Sequence, residues 1–408
     1  MKILIISQWY APEPDGRVSA LAEGLVKKGH DVNVVTAFPH YPKNRLYDGY
    51  RLKWRQWEKI NDVTVLRLPI YPDYSRSVVK RSINYLSFMA SLMFLAPFLL
   101  RRADVIWSYT VLVGLPSIWI SRLFRIPVVM EIADIWPDTI TASGMLKKGR
   151  IVRMLDLYIR WVYKEIDAFT VQNPGFKTSL TGKGVEPEKI HLVENWADPE
   201  IYRQVERNDE LAREFNLDGK FNVVFAGNMG AAQGLDTVVK AASYLADVPS
   251  LQFVFIGNGS CMDQTKELGE KLGAKNLLFL GRQPQEKMSS FFAIADALLV
   301  HLRDSPVFSI TIPGKTQAYL ACGRPIIMAL KGDGARLIEK NGCGITVPPE
   351  DPQALAINIK KLMNMTPAQR KALGDSGRRL YSSRFTKSML LDKMESVLME
   401  IIGKGKGR

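Results

Sequence analysis

Short apolar runs alternate with longer amphipathic segments along the whole chain. In the first half, apolar runs of strand length lie at residues 2–7, 32–36, 63–68, 104–108, 169–172 and 190–193. Between the first two runs, residues 17–28 place apolar side chains at helical spacing. A strand, a helix and a strand in this order form a βαβ unit, so the pattern predicts a Rossmann-type parallel sheet.

The same alternation starts again in the second half. Its apolar runs lie at residues 221–226, 251–256, 277–280, 297–300, 326–329 and 344–347. Two separate α/β patterns predict two tandem Rossmann-like domains. We place the N-terminal domain at 1–198, with a linker at 195–199. The C-terminal domain follows at 199–384, and a terminal amphipathic helix with a basic tail occupies 385–408.

The composition fits two domains and predicts a partner that carries negative charge. The chain has 408 residues, 47% of them apolar, and a formal net charge of +14. The excess is concentrated in residues 43–102, where twelve Lys and Arg stand against four Asp and Glu. Nucleic acid and an anionic membrane surface both attract such a segment. Because the basic residues are interleaved with apolar helices and not with a recognition motif, we favour the inner membrane surface and expect no nucleic acid partner.

Two segments of the N-terminal half are both basic and apolar. Residues 83–100 would form a helix about 27 Å long, close to the thickness of a bilayer core. A membrane span is disfavoured, because the predicted strands 63–68 and 104–108 flank the segment and belong to one sheet. We therefore expect a helix that packs on the sheet and exposes an apolar face to the membrane interface. Residues 147–164 predict a second helix of this kind.

Cysteine usage indicates a reducing compartment. Cys261, Cys322 and Cys343 are isolated and lack the spacing of a metal site or a redox pair. The N-terminus lacks the long apolar core and cleavage site of a signal peptide. We expect a cytoplasmic protein that is peripheral on the cytoplasmic face of the plasma membrane.

Residues 301–326 hold the clearest candidate for an anion site. A helix is predicted over 315–322, directly after Gly314. Its unpaired N–H groups share one end with Lys315 and Thr316, which suits a phosphate. The alternative is an ordinary buried helix whose lysine faces water. The Gly-Lys-Thr run lacks the leading glycine and spacing of a P-loop, so we exclude an NTPase.

Glycine loops follow several predicted strands, at 227–230, 257–259 and 281–282. Ligands bind at the carboxyl ends of strands in open α/β sheets, and these loops suit a nucleoside diphosphate. Gly16 lies at the corresponding edge of the first domain, where a turn requirement alone is an equal alternative. The chain has no G-x-G-x-x-G, which disfavours a dinucleotide, and no D-x-D, which leaves a carboxylate-held metal unsupported. We therefore predict neither a metal nor a cofactor.

Three carboxylates stand near the end of the predicted strand in residues 127–138: Glu131, Asp134 and Asp138. Carboxylates in this place hold sugar hydroxyls or act as bases. The alternative is helix capping and solvated loop charge. We select Asp134, because an apolar run leads straight into it.

Four segments together resemble the GT-B glycosyltransferases of family 4: 131–138 (EIADIWPD), 194–198 (ENWAD), 227–236 (GNMGAAQGLD) and 301–326 (HLRDSPVFSITIPGKTQAYLACGRPI). They look like the branch of colanic-acid and O-antigen transferases that includes fucosamine transferases. The resemblance covers nearly the whole chain. It implies two Rossmann-like domains facing a central cleft, with the C-terminal helix returning to the N-terminal domain. The N-terminal domain would face the acceptor and the membrane, and the C-terminal domain would hold the nucleotide sugar.

The resemblance also implies an activity. Members of this branch move a hexosyl or N-acetylhexosaminyl group, such as an N-acetylated or deoxy hexose, from a nucleoside diphosphate sugar. UDP is the expected nucleotide, the expected transfer retains configuration and needs no metal, and the expected acceptor is a polyprenyl diphosphate-linked glycan. Surface polysaccharides such as O-antigen or capsule are the expected products.

The chain departs from the family pattern at several positions. Ile310 and Ala318 stand where most members have an acidic pair. Asn228 and Gln233 stand near the usual Arg and Lys of the glycine loop, and Ala133 stands near a common His. We expect a rearranged donor site. The alternatives are a non-catalytic nucleotide-sugar-binding protein and a UDP-sugar epimerase.

For the expected transfer, Lys315 neutralises the leaving diphosphate, with Arg303 or Arg282 as a second cation. The Gly230 amide would bind the diphosphate, and Asn228 and Gln233 would orient it. Asp134 would hold sugar hydroxyls. The remaining donor-binding assignments are Asn258 and Arg282 at the nucleoside, Gly16 and Arg17 closing from the opposite domain, and Gly314 and Thr316 beside Lys315.

Overall fold

The computed structural model describes residues 1–14, 16–75, 77–100, 102–142 and 149–405. Its strands are β1 Lys2–Ile6, β2 Asp31–Ala37, β3 Gln56–Ile60, β4 Val63–Leu68, β5 Val105–Tyr109, β6 Val128–Ile132, β7 Ala168–Val171, β8 Ile190–Leu192, β9 Phe221–Ala226, β10 Leu251–Ile256, β11 Leu277–Gly281, β12 Ala297–His301, β13 Ile326–Ala329 and β14 Gly344–Val347.

Its α-helices are α1 Arg17–Lys27, α2 Val78–Phe94, α3 Ala96–Leu99, α4 Gly114–Phe124, α5 Asp138–Ala142, α6 Arg150–Glu165, α7 Pro174–Gly182, α8 Asp209–Glu214, α9 Leu235–Ser243, α10 Met262–Lys271, α11 Met288–Ile294, α12 Pro306–Ser309, α13 Lys315–Cys322, α14 Asp333–Lys340, α15 Pro352–Met363, α16 Pro367–Arg384 and α17 Lys387–Gly405.

The N-terminal domain is one sheet in the order β3-β4-β2-β1-β5-β6-β7-β8, and every pair is parallel except β3 with β4. The strands next to the centre are almost continuously apolar, because helices cover both faces of a parallel sheet. Helices α2, α4 and α6 pack side by side on one face. Helix α1 covers the other face.

The C-terminal domain is a second parallel sheet in the order β11-β10-β9-β12-β13-β14. Helix α13 follows β12 and packs against α16. The α/β prediction is confirmed, and the predicted bounds of β4, β9, β10, β13, β14 and α13 coincide with those observed.

Helix α17 crosses back to the N-terminal domain. Its Leu391, Met394 and Leu398 are buried in one core cluster with Ile3 and Ile5 of β1. The Lys28 ammonium lies 2.7 Å from the Glu395 carboxylate and fixes α17 to the end of α1. The chain therefore contributes its last helix to its first domain.

The predicted basic and apolar helices differ in detail from the structure. The stretch 83–100 is two helices, because α2 ends at Phe94 and α3 has Pro97 in its first turn. Within the described parts of the chain, none of the helices combines the length and the hydropathy that a bilayer crossing requires. The stretch 147–164 corresponds to α6, although residues 147 and 148 lie outside the described residues, as do 406–408 of the predicted tail.

Candidate active site

A cleft of about 1020 Å³ lies between the two domains, at the carboxyl ends of the central strands of both sheets. Loops after β9, β10 and β11 form one wall with the start of α13. The start of α1 and the loop after β2 face them. The predicted site residues that line the cleft are Gly16, Arg17, Asn228, Asn258, Arg282, Gly314 and Lys315.

Two glycine loops meet in the C-terminal wall. Gly257 has a φ of 134°, and a Cβ there would overlap the carbonyl oxygen of Gly227. A Cβ at Gly259 would likewise overlap the backbone of Met229. Only glycine permits this approach, which places backbone and the exposed Asn228 and Asn258 side chains at the cleft.

Lys315 begins α13, and its ammonium stands in the cleft wall. The Gln233 side-chain oxygen accepts a hydrogen bond from Nζ at 3.0 Å, and Nζ lies 3.7 Å from the centre of the Phe225 ring. No carboxylate of the described residues forms an ion pair with it, and burial lowers the pKa of Lys315 to about 7 from 10.5. A cation held without a counter-charge is a site for an anionic ligand.

Gln233 lies behind the cleft surface, and neither Gln233 nor Gly230, both predicted donor-binding residues, lines the cleft. The Gln233 backbone oxygen accepts a hydrogen bond from the buried His301 ring at 2.7 Å. Its side chain points to Lys315, so Gln233 positions the lysine and does not line the cleft. Thr316 is buried beside it, and its hydroxyl has no hydrogen-bond partner among the described residues.

The structure gives Arg17 a different place from the predicted phosphate clamp. Its guanidinium lies 2.8 Å from the buried Glu131 carboxylate and donates to the carbonyl oxygens of Val193 and Glu194. It also stacks on Trp196 at 4.5 Å. Arg17 therefore holds the start of α1 to the interdomain linker, and its charge is largely neutralised before any ligand arrives.

Gly16 precedes Arg17 with a φ of 56°, in the left-handed region that favours glycine. No atom stands within 4 Å of a Cβ added to Gly16, so the constraint there is conformational. The position leaves the N-terminus of α1 open to the cleft.

Arg303 and Asp134 do not line the cleft. The Arg303 guanidinium lies 2.8 Å from both Asp236 and Glu350, which makes it a brace for the loop before α9. Asp134 stays exposed to solvent, although the protein crowded around it raises the pKa of its carboxyl. The roles predicted for these two residues in catalysis are therefore not supported by the geometry. Glu131, the buried carboxylate of this segment, pairs with Arg17.

Arg282 is the second cation that the structure brings to the cleft. It is exposed at the end of β11 and forms no ion pair within the described residues. Its charge opposes the rise in pKa that burial imposes on Tyr41, a tyrosine of the opposite wall. Arg282 therefore faces the N-terminal domain across the cleft.

Sequence reasoning missed several cleft residues. They come from the linker, the segment just after it, α11 and α17: Asn195, Trp196, Asp198, Tyr202, Phe292 and Lys387. Tyr202 and Phe292 stack with ring centres 6.2 Å apart. The polar and aromatic run of residues 194–198 is the available signal: it contributes to the family resemblance and overlaps the predicted linker, but its residues are not among the predicted site residues.

Ile310 and Ala318, which stand at the positions of the family's acidic pair, lie in different surroundings. Ala318 lines the cleft on the same face of α13 as Lys315. Ile310 instead meets Gly175 of the N-terminal domain, where a Cβ on the glycine would overlap its side chain. Among the described residues, no three His, Cys, Asp or Glu side chains are grouped so that they could hold a metal ion.

Two family models and a related protein match this chain. Residues 15–196 match the glycosyl transferase 4-like domain, and residues 207–380 match the glycosyl transferases group 1 domain. WcaI of Escherichia coli K12, named as a colanic acid biosynthesis glycosyl transferase, is 26% identical over 89% of this chain and 92% of its own.

Solved structures share the fold. Sucrose-phosphate synthase of Thermosynechococcus elongatus gives a TM-score of 0.77 at 17% identity over 99% of both chains. Anabaena HepE, determined with UDP and glucose, gives a TM-score of 0.72 at 17% identity over 98% of this chain and 99% of its own. Both likenesses extend over the two domains and the cleft between them.

Proposed function

This chain belongs to the GT-B glycosyltransferases of family 4, and we propose that it transfers a sugar from a nucleoside diphosphate sugar to a lipid-linked glycan with retention of configuration. The proposed donor is a UDP-linked hexose, N-acetylated or deoxygenated. The proposed product belongs to a bacterial surface polysaccharide. The name of WcaI supports the product class, and the UDP and glucose of HepE support the donor class.

Lys315 is the observation that carries the proposal. Its ammonium stands at the N-terminus of α13, unpaired by any carboxylate of the described residues, beside two glycine loops. Backbone N–H groups, a helix terminus and a cation converge there, as a diphosphate requires. Arg282 adds a second positive charge from the same wall.

The proposed reaction breaks the bond between the anomeric carbon and the bridging phosphate oxygen. The acceptor hydroxyl forms the new bond on the same face and passes its proton to the departing diphosphate. Negative charge grows on that diphosphate as the bond loosens. Lys315 and the N–H groups are already in position to stabilise it, so the charge is met without reorganisation.

The face of α2, α3, α4 and α6 that points away from the sheet supports a membrane location. Large apolar side chains are exposed there, and we call them the apolar helix surface: Leu86, Phe94, Phe98, Trp119, Leu123, Ile151, Met154 and Leu157. Exposed fractions of 61% at Leu86, 70% at Phe94 and 87% at Phe98 are unusual for a free monomer surface. Basic residues such as Arg125 and Arg153 accompany them, which suits an anionic bilayer and a lipid-linked acceptor.

Donor turnover tests the function. The protein would be incubated with UDP-, GDP- and dTDP-sugars, an extract of lipid-linked saccharides and EDTA, and released nucleotide would be quantified. We expect acceptor-dependent release of one nucleoside diphosphate. We expect Lys315→Ala to lower the turnover rate strongly and the free energy of unfolding only slightly. Lys340→Ala, at an exposed lysine of α14, should leave both quantities unchanged.

The other outcomes separate the alternatives. Binding of a donor without release under every acceptor would identify a non-catalytic nucleotide-sugar-binding protein, which the apolar Ile310 and Ala318 would then explain. Release that needs no acceptor would point to an epimerase or a hydrolase.

A further inference from the structure

The end of β12 holds the loop that leads into α9. His301 is the last residue of β12, and its side chain is fully buried. Its ring Nδ1 lies 2.7 Å from the backbone oxygen of Gln233. Two residues later, the Arg303 N–H donates to the Ala232 oxygen at 3.0 Å, and the Arg303 Nε donates to the Ala231 oxygen at 3.0 Å. Three successive carbonyl groups of the loop are therefore bound by one short segment.

The hydrogen bonds of His301 define its tautomer. The Glu350 N–H donates to Nε2 at 3.4 Å, so Nε2 carries no proton. Nδ1 therefore carries the proton and donates a hydrogen bond to the Gln233 oxygen. A protonated ring would turn a second N–H towards the Glu350 N–H, so only the neutral ring suits both partners.

The charges around His301 leave the ring neutral. Arg303 lies 2.8 Å from Asp236, at the start of α9, and 2.8 Å from Glu350, after β14, so these charges pair with one another. Burial is the largest influence on the pKa of His301, and it lowers that pKa. The ring therefore acts on Gln233 through its N–H group and its shape, and not through a charge.

Gly234 lets the loop lie directly against the His301 ring. Its φ is 57°, and a Cβ added there would stand 2.9 Å from the ring Cε1 and 3.1 Å from Nδ1. On the other side, the Gln233 N–H donates to the Gly230 oxygen at 3.0 Å. The backbone of Gln233 is thus fixed at both its N–H and its carbonyl group.

This fixed backbone sets where the Gln233 side chain ends. Its Oε1 accepts a hydrogen bond from the Lys315 ammonium at 3.0 Å, and the ammonium lies 3.7 Å from the centre of the Phe225 ring. The ammonium also lies against Gly227, where an added Cβ would stand 3.2 Å from Nζ. An ammonium has three N–H donors, and Gln233 occupies one of them.

We infer that His301 is a positioning residue for the proposed diphosphate site: it holds Gln233, whose neutral amide directs the Lys315 ammonium at the cleft without cancelling its charge. Neither His301 nor Gln233 lines the cleft, so neither would touch the ligand. A carboxylate in place of the amide would also hold the ammonium, but it would neutralise the charge that attracts a diphosphate. The inference rests on the proposed function, because it takes the diphosphate as the ligand of Lys315.

The affinity for UDP tests the role of the neutral amide. Gln233→Glu keeps the length of the side chain and adds a carboxylate beside the ammonium. We expect the Kd for UDP at pH 7 to weaken about tenfold. We also expect this Kd to change little between pH 7 and 9, because the carboxylate keeps the ammonium charged over that range, whereas wild-type affinity should fall. Calorimetric titration measures both.

Gln204→Glu is the matched control for the added charge. Gln204 is exposed and lies beside Gly323, which precedes β13 at the edge of the sheet opposite the cleft. This variant should bind UDP like wild type at every pH. An unchanged Kd in Gln233→Glu, or an equal weakening in Gln204→Glu, would overturn the inference.

Two replacements of His301 separate its N–H group from its bulk. An asparagine amide places an N–H at about the position of Nδ1, whereas a glutamine amide reaches the position of Nε2. His301→Asn should therefore keep the bond to Gln233 and stay within about threefold of the wild-type Kd for UDP. His301→Gln loses that bond, and we expect its Kd at pH 7 to weaken about tenfold.

The pH profile separates positioning from a purely structural role. In His301→Gln the ammonium is no longer held and regains water, so the pKa of Lys315 should move from about 7 towards 10.5 and the Kd should vary less between pH 7 and 9. A purely structural histidine would lower the free energy of unfolding in both variants and leave the wild-type pH profile intact. That result would overturn the inference.

Nitrogen NMR of the imidazole rings covers the case in which the His301 variants fail to fold, because it uses wild type. We expect a neutral His301 ring with its proton on Nδ1, and a proton on Nε2 would contradict the inference. The proposed function fails in a different way. If wild type bound no nucleoside diphosphate, or if Lys315→Met bound UDP as tightly as wild type, the diphosphate assignment itself would be wrong.

Discussion

Lys315 has an unusually low pKa for a lysine. Its proposed role in diphosphate binding links this pKa to a measurable affinity. Its pKa of about 7 means that the free protein loses this positive charge as the pH rises through neutrality. A bound diphosphate favours the charged form, so binding takes up a proton above pH 7. We predict that the Kd for UDP weakens by up to tenfold per pH unit between about pH 7 and 9. Isothermal calorimetry in buffers of different ionisation enthalpy measures both the Kd and the proton uptake.

The terminal phosphate of the nucleotide contributes little to this pH dependence, because a phosphate with a pKa near 6 is already about nine-tenths ionised at pH 7. Lys315→Arg keeps its charge throughout this range, so its Kd should change much less with pH than that of wild type. Any change that it shows towards pH 9 measures the ionisation of the uracil N3–H and is subtracted. Lys315→Met should bind weakly and equally at every pH. A wild-type Kd that does not change from pH 7 to 9 would contradict the assignment of Lys315 to the diphosphate.

Arg17 and Glu131 form a buried ion pair whose loss should be structural. Removing one partner leaves the other charged and buried without compensation, so Arg17→Met should lower the free energy of unfolding by about 3–5 kcal/mol. Urea unfolding followed by circular dichroism measures this. Replacing both partners, as Arg17→Met with Glu131→Gln, should recover most of the loss because no charge remains buried.

If Arg17→Met instead left stability unchanged and raised only the KM for the donor, the phosphate role predicted from sequence would be restored. The Glu131→Gln single variant provides the matched measurement, because it removes the carboxylate of the ion pair instead of the guanidinium. Its unfolding free energy should also fall, since Arg17 then loses its only carboxylate partner among the described residues.

Residue roles could be predicted from sequence where the evidence is local. Gly314, Lys315, Gly257 and Asn258 follow one strand or begin one helix, and they do line the cleft. The ion pairs of Arg17 and Arg303 could not be predicted, because their partners are distant in the chain. Glu131 lies over a hundred residues from Arg17, and nothing in the local pattern says that a carboxylate will neutralise it.

At the scale of elements, apolar runs located the buried strands almost to the residue. β3 was missed because its sequence QWEKI alternates with polar residues and lies at the sheet edge. The Asn61-Asp62 pair, both with positive φ, was a usable hairpin signal. The long helix of 83–100 was predicted without its break, although Pro97 marks a helix start in the structure.

The apolar helix surface yields a prediction about membranes. Leu86→Ser and Phe94→Ser should each weaken binding to vesicles that contain phosphatidylglycerol, because each removes exposed apolar area from the interface. We expect about a fivefold loss for each, measured by vesicle sedimentation. UDP affinity should not change, since the proposed nucleotide wall belongs to the other domain.

Ile357→Ser provides the matched control for the vesicle experiment. Ile357 lies on α15 of the C-terminal domain and is 67% exposed, similar to Leu86 at 61%. If all three variants lost vesicle binding equally, the effect would be one of general hydrophobicity. If Leu86→Ser and Phe94→Ser bound like wild type, the apolar helix surface would not be the membrane contact.

At the scale of the whole molecule, several contacts hold the domains together beyond the linker, and three of them lie around the start of α7. The Asn173 side chain accepts from the Ile312 N–H at 3.1 Å, and the Gly175 N–H donates to Asp333 at 2.7 Å. Ile310 packs on Gly175. Because Ile310 and Ile312 lie just before Lys315 in the chain, this contact sets the distance between the cation and the N-terminal wall.

Gly175 is therefore a place where one methyl group should alter the whole cleft. A Cβ at Gly175 would overlap the Ile310 side chain and the Asp333 carboxylate, so Gly175→Ala should force the two domains apart. We predict a larger radius of gyration by small-angle X-ray scattering and a turnover lower by at least about tenfold. UDP affinity should change little, because its contacts come mainly from the C-terminal wall.

Gly182→Ala is the control, since it lies on the same helix α7 and has no atom within 4 Å of an added Cβ. Ala is the better helix former, so this variant should fold at least as well as wild type and turn over normally. The double variant Gly175→Ala with Ile310→Ala relieves the overlap. Its radius of gyration should therefore return part of the way to the wild-type value. If Gly175→Ala kept both the radius of gyration and the turnover of wild type, this contact would not determine how the two domains are arranged. The cleft width would then be set by the linker and α17 alone.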